Sequence, residues 1–233
     1  MAEYILQCNG LSKHFGSKFA LDQIQLNIKK GRIVGLLGPN GSGKTTLIKH
    51  LAGLLTPTTG EVLINGVPVG VETKKIVSYL PDRTYLNDWM KVNQIFDLFA
   101  DFYEDFDRSK AQDMLKRLDI NPETKLKTMS KGTKEKVQLI LVMSREASLY
   151  LLDEPIGGVD PAARDYILDT VITNYNANAS IIISTHLISD IEKILDDILF
   201  IQNGKLILNQ STDVIREKYG QSIDKYFREE FKC

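Results

Sequence analysis

Few backbones can accommodate the run Gly38-Pro39-Asn40-Gly41-Ser42-Gly43-Lys44-Thr45. It satisfies the pattern G-x-x-x-x-G-K-S/T, a phosphate-binding loop between a buried strand and a helix. The flanks agree. Ile33-Val34-Gly35-Leu36-Leu37 is apolar, as a buried strand should be, and Thr46-Leu47-Ile48-Lys49-His50-Leu51 continues with helical character. Glycines let the backbone curl so that successive N–H groups point inward, and a helix beginning near Gly43 adds its positive dipole end. Lys44 places a cation on phosphate oxygens, and the Thr45 hydroxyl can ligate Mg²⁺. Together these features point to a nucleoside triphosphate. The plain alternative is a Gly-rich turn that binds nothing. In a chain of 233 residues such a match arises by chance roughly 1% of the time, which favours the phosphate loop.

That length suits one large domain or two lobes sharing a core. The 29 basic and 30 acidic residues nearly cancel, so no global field draws nucleic acid or a bare anionic membrane, and no nucleic-acid partner is expected. Cys8 and Cys233 lack metal-ligand spacing and read as free thiols in a reducing compartment. Met1-Ala2-Glu3-Tyr4-Ile5 lacks the blocks of a signal peptide, and no apolar stretch approaches the ~18 residues needed to span a bilayer. The expectation is a soluble intracellular chain.

The first third is β-rich. Runs at 20–28 and 61–64 are broken at Lys30-Gly31 and at Asn65-Gly66, the latter suiting a two-residue hairpin. From Trp89 to Ala147 glycine and proline are scarce. Val92, Ile95, Phe96, Phe99, Phe102 and Tyr103 fall on one helical face there, and the stripe Phe96, Phe99, Phe102 reads as core. The last third alternates again: strands at 149–152 and 181–184, a helix over 187–195, and a hairpin from Ile198 to Leu208 turning at Asn203-Gly204. This order predicts an α/β fold: a P-loop NTPase core with a mostly parallel sheet, an N-terminal antiparallel β subdomain and an inserted α-helical subdomain.

Leu149-Tyr150-Leu151-Leu152-Asp153-Glu154 supplies the second half of a nucleotide site. A buried strand ends in two carboxylates at the sheet edge where ligands sit. Asp153 is placed to hold Mg²⁺ through water, and Glu154 to take a proton from the attacking water. Three further segments follow: Met129-Ser130-Lys131-Gly132-Thr133 opening a helix, Pro155 to Pro161 after the acids, and Ser184-Thr185-His186 closing the next strand. With these in order, the whole chain resembles the ATP-binding subunit of ABC transporters, and its ending, Ser222 to Cys233, is similar to that of the ABC-2 export type. The resemblance implies a single domain over 1–233, with 1–82 and 148–233 forming the α/β core with its β subdomain and about 83–147 the helical subdomain. It implies ATP and Mg²⁺ as ligands, with ATP held by Phe15 and by Gly38, Pro39, Asn40, Gly41, Ser42, Gly43, Lys44, Thr45 and Thr46. Phe15 stands where the family stacks an aromatic, usually Tyr, on adenine. Ser130, Lys131, Gly132 and Thr133 match the signature that caps ATP on a second subunit, Asp160 the loop aspartate crossing that interface, and His186 the switch histidine that contacts the γ-phosphate and orients the water.

Two departures stand out. Asp82 follows Tyr79-Leu80-Pro81 where similar proteins carry a metal-sensing glutamine. It reads either as a Mg²⁺-side residue with Thr45 and Asp153 or as a turn acid. The signature reads M-S-K-G-T for L-S-G-G-Q, and Lys131 either steadies a phosphate or faces solvent. The resemblance implies a transport-coupled ATPase that pairs as a homodimer or heterodimer. It would power a separate transmembrane permease from the inner face of the cell membrane, the block from Arg83 to Trp89 lying near the partner groove. The alternatives are a soluble ATPase of the same type acting on a macromolecule, and a regulatory binder that does not hydrolyse.

Overall fold

The computed structural model describes residues 3–157, 161–175 and 178–231. The chain opens with two long strands, β1 (Tyr4–Phe15) and β2 (Lys18–Lys29), then enters the interior on β3 (Ile33–Leu37) and leaves through the glycine loop into α1 (Lys44–Leu51). It returns to the surface on β4 (Thr59–Ile64) and the short β5 (Val67–Pro68), and α2 (Val71–Ile76) leads into β6 (Val77–Leu80). A helical block follows: α3 (Val92–Phe102), α4 (Arg108–Arg117) and α5 (Lys131–Met143). The remainder alternates as β7 (Leu149–Asp153), α6 (Pro161–Asn174), β8 (Ser180–Thr185) and α7 (Ile188–Ile191). It ends with the hairpin β9 (Asp197–Gln202) and β10 (Lys205–Ser211), then α8 (Thr212–Tyr219) and α9 (Ile223–Phe231).

Two sheets result. The antiparallel one has the order β2-β1-β4-β5, and the six-stranded one β10-β9-β3-β8-β7-β6. Within the second, β6, β7, β8, β3 and β9 run parallel, and only β10 is antiparallel to its neighbour. β3, β7 and β8 are buried at every position, which explains why they read as continuous apolar runs rather than alternating ones. Both hairpin turns sit where expected. Asn65 and Gly66 take φ of 53° and 80°, Asn203 and Gly204 49° and 77°, the left-handed pair that a two-residue turn requires.

Pleating divides the core. Val34, Leu36, Leu149, Leu151, Ile182 and Leu199 pack on one face with Leu47, Ile48 and Leu51 of α1 and the antiparallel sheet. Tyr150, Leu152, Ile181, Ile183 and Phe200 face the other way, toward α3, α4, α5 and α9. Each such aliphatic side chain stabilises the fold by roughly 1.5–3 kcal/mol relative to exposure.

In the helical block α3 buries Val92, Ile95, Phe96 and Phe99, with Phe106 edge-on to Phe96 at 5.8 Å. Phe102 departs from the expected stripe. It is 75% exposed, because it is the last residue of the helix, which the chain leaves at Tyr103. The helix expected over 187–195 is likewise cut to α7. Leu195 is drawn onto Gly35, where a side chain would leave no room (a Cβ would sit 2.5 Å from Leu195 Cδ1), and Thr212 donates to the Leu195 carbonyl at 2.9 Å. Among the described residues no helix is long and apolar enough to cross a membrane.

Candidate active site

The loop after β3 is held by close approaches that exclude larger residues. A Cβ on Gly38 would lie 2.3 Å from the Ile201 carbonyl oxygen and 2.7 Å from Ser42 Oγ. Gly43 has φ of 115° and a Cβ there would meet the Ala20 carbonyl at 2.7 Å. The β9–β10 turn braces the loop from outside, Gly204 N–H donating to the Ser42 carbonyl at 2.8 Å. α1 starts at Lys44, so the N–H groups of Lys44, Thr45 and Thr46 lie in the first turn, where no intrahelical acceptor exists. Together with the N–H groups of Asn40 and Gly41 they form a row of donors suited to an anion.

Lys44 is buried, its Nζ donating to the Gly38 and Pro39 carbonyls at 2.8 and 3.3 Å and lying 3.9 Å from Glu154 Oε1. Burial pushes its ammonium below the usual lysine range, against the pull of Glu154 and Asp153. Alternation along β7 puts Asp153 on the same face as Leu149 and Leu151, the α1 face, and there Thr45 Oγ1 donates to Asp153 Oδ1 at 3.2 Å. Burial raises the Asp153 carboxyl above its ordinary range, with Asp82 and Glu154 adding and the Ser184 and Thr45 hydrogen bonds opposing. Its Oδ2 is buried and has no hydrogen-bond partner among the described residues. An orphaned anionic oxygen beside a threonine hydroxyl fits a hard divalent cation. Mg²⁺ typically takes one or two protein oxygens and completes its shell with phosphate and water, so it needs no larger cluster. No group of three or more His, Cys, Asp or Glu able to hold a metal occurs among the described residues.

Glu154 turns out of the strand with φ of 51°, a left-handed conformation costing a non-glycine residue on the order of 1–2 kcal/mol. That turn brings its carboxylate to His186, whose Nδ1–H donates to Oε2 at 3.0 Å. P-loop lysine, acid pair and histidine therefore meet at the C-terminal edge of β3, β7 and β8. Asp82 lies two residues past the end of β6, on the same edge. It is exposed, lies 3.9 Å from Arg83, and its charge reaches Asp153. Phe15 closes β1, 53% exposed, with Lys13 Nζ 5.3 Å above its ring.

Ser130 caps α5, its Oγ accepting from Thr133 N–H at 3.2 Å and lying 2.8 Å from Thr133 Oγ1. Lys131 extends into solvent, 78% exposed and 3.7 Å from Glu135. A Cβ on Gly132 would meet nothing within 4 Å, so packing within the described residues does not demand glycine there. Among the described residues, no hydrogen bond or ion pair joins Ser130, Lys131, Gly132 or Thr133 to Lys44, Asp153, Glu154 or His186. Asp160 lies outside the described residues. One participant escaped the sequence reading: Ser184, which contacts both acids. A hydroxyl residue at the end of an apolar strand adjacent to the acid strand was the available signal.

A family model described as "ABC transporter" matches residues 21–157. The "Uncharacterized ABC transporter ATP-binding protein YdbJ" of Bacillus subtilis (strain 168) is 33% identical over 234 residues, covering 94% of this chain and 74% of that protein. The "SkfA peptide export ATP-binding protein SkfE" of the same organism is 31% identical, covering 87% of each. A solved structure described as "Structure of ATP binding subunit of ABC transporter" superposes with a TM-score of 0.86 at 29% identity, over 97% of this chain and 98% of that one.

Proposed function

We propose that this chain, which belongs to the ABC transporter ATP-binding family, binds and hydrolyses ATP to drive a separate membrane-spanning partner. The convergence of Lys44, Glu154 and His186 within 3.9 and 3.0 Å contacts carries the reading. The loop N–H groups and Lys44 hold the β- and γ-phosphates, and Phe15 offers its exposed face to adenine. Mg²⁺, held by Thr45 and Asp153 with Asp82 nearby, would neutralise phosphate charge. Glu154 accepts the proton of the attacking water as its oxygen bonds to the γ-phosphorus and the bond to the ADP oxygen breaks. His186, hydrogen-bonded to Glu154, orients that water and carboxylate.

Two ATP-binding subunits, as a homodimer or a heterodimer, close face to face, and Ser130 and Gly132 of this chain are offered to the ATP of the other. The separation of the signature from its own site and the open space over Gly132 support this. Closure on ATP and reopening after hydrolysis form the mechanical output. A cavity of about 650 Å³ supports docking of the partner between the core and the helical block. Leu54, Tyr79, Arg83, Tyr85, Phe99 and Tyr103 contribute to its wall. The likeness to a protein named for peptide export supports an exporter, held at the inner face of the membrane through its partner.

Glu154→Gln tests the core of this proposal. The variant should bind ATP with near wild-type affinity, lose turnover by about 10²–10⁴-fold, and accumulate as an ATP-bound dimer in light scattering. Wild-type turnover would remove Glu154 from the base role. Brisk hydrolysis by a strictly monomeric protein at all concentrations would overturn the paired mechanism.

A further inference from the structure

The β7–β8 register sets Ser184 directly beside Asp153, and Ser184 is fully buried. Its hydroxyl donates to Asp153 Oδ1 at 2.5 Å and accepts from the Glu154 backbone N–H at 3.1 Å, while its carbonyl accepts from the same N–H at 3.0 Å. One side chain therefore touches both acids, each in a different way. On Asp153 it joins Thr45 on Oδ1, so two hydroxyls occupy that oxygen, and among the described residues Oδ2 has no hydrogen-bond partner. On Glu154 it helps tether the amide of a residue held at φ of 51°, the conformation that carries the carboxylate to His186.

We propose that Ser184 is a positioning residue for the reaction. Its hydroxyl selects which oxygen of Asp153 is free for the divalent cation and holds the left-handed turn that aims Glu154. This rests on the roles proposed above for Asp153 and Glu154. A buried hydroxyl that serves only to fill space would be replaceable by a methyl. One that orients a metal-side carboxylate would not, since outer-shell partners of such ligands typically change metal affinity or activity 10–100-fold.

The test compares Ser184→Thr with Ser184→Val, two side chains of nearly equal shape that differ by the hydroxyl, in the full chain, with thermal melting as a control for folding. A fluorescent ATP analogue measured in EDTA should bind both variants and wild type within about two-fold. Titrating Mg²⁺ into the nucleotide complex, and following Mn²⁺ by electron paramagnetic resonance, should show Val needing roughly 10-fold more cation. kcat should fall 10–100-fold in Val, with KM changing little, and Thr should lie near wild type. Equal cation dependence and kcat for Val and Thr, whether both high or both low, would overturn the role of the hydroxyl. If Glu154→Gln itself turns over normally, the base assignment fails rather than that of Ser184.

Discussion

At Phe15 the aromatic face is exposed at a strand end and held by little besides the Lys13 ammonium, so its substitution reports on ligand contact rather than on folding. Phe15→Ala should weaken ATP binding by about 1–3 kcal/mol, the range for base stacking on an aromatic. Phe15→Tyr should be nearly neutral, and the melting temperature should move little in either. Equilibrium binding of ATP against a non-adenine triphosphate separates stacking from phosphate contacts. Ser42 and Lys44 were legible in the sequence because the loop's chemistry is local: the spacing of eight consecutive residues defines the donor row. Ser184 was not, because its meaning depends on the residue opposite it on another strand. Asp82 and Lys131 were read with two meanings each. The structure puts Asp82 on the acid edge and Lys131 in solvent beside Glu135.

α1 links the phosphate loop to the core, and its histidine is buried. His50 is 1% exposed, and its Nδ1–H donates to the Thr46 carbonyl at 2.8 Å, which keeps that nitrogen protonated in the neutral ring. Burial pushes the imidazole below its ordinary value of 6.5, more than the Thr46 and Thr56 backbone raises it. The unfolded chain therefore binds a proton that the folded chain resists. The His50 contribution is fully present above about pH 6.5 and is lost as pH falls through the lower folded value, at about 1.4 kcal/mol per unit of separation. Urea denaturation at pH 7.5 and 5.5 should show this loss, and His50→Gln should flatten it. If the variant keeps the wild-type pH slope, His50 is not its source. Periodicity identified α3 and α5 as elements but not their limits. Phe102 lies at the stripe's edge, where exposure depends on what packs beyond the helix end. Leu187 to Leu195 stops being helical because Leu195 is claimed by Gly35 on another strand.

Across the whole molecule, Arg145 joins the helical block to the edge of the parallel sheet. Its guanidinium is buried, donates to Asp105 at 2.9 and 3.1 Å and to the Val77 and Lys75 carbonyls at 2.7 Å, and stacks 3.8 Å from the Tyr103 ring centroid. Arg145→Ala strands those acceptors and should destabilise the fold by about 3–5 kcal/mol. Arg145→Lys, which keeps charge but loses the planar fork, should fall between. Denaturant unfolding of both variants checks the order, and an alanine variant of wild-type stability would contradict it. The alternation of strands and helices, the phosphate loop and the acid pair were determined by sequence alone, because each depends on neighbours within a few residues along the chain. The meeting of Lys44, Glu154, His186 and Ser184, and the bridging by Arg145, were decided only by tertiary structure. Their partners lie 30 to 110 positions apart in sequence, at distances set by strand order and register, which no local pattern encodes.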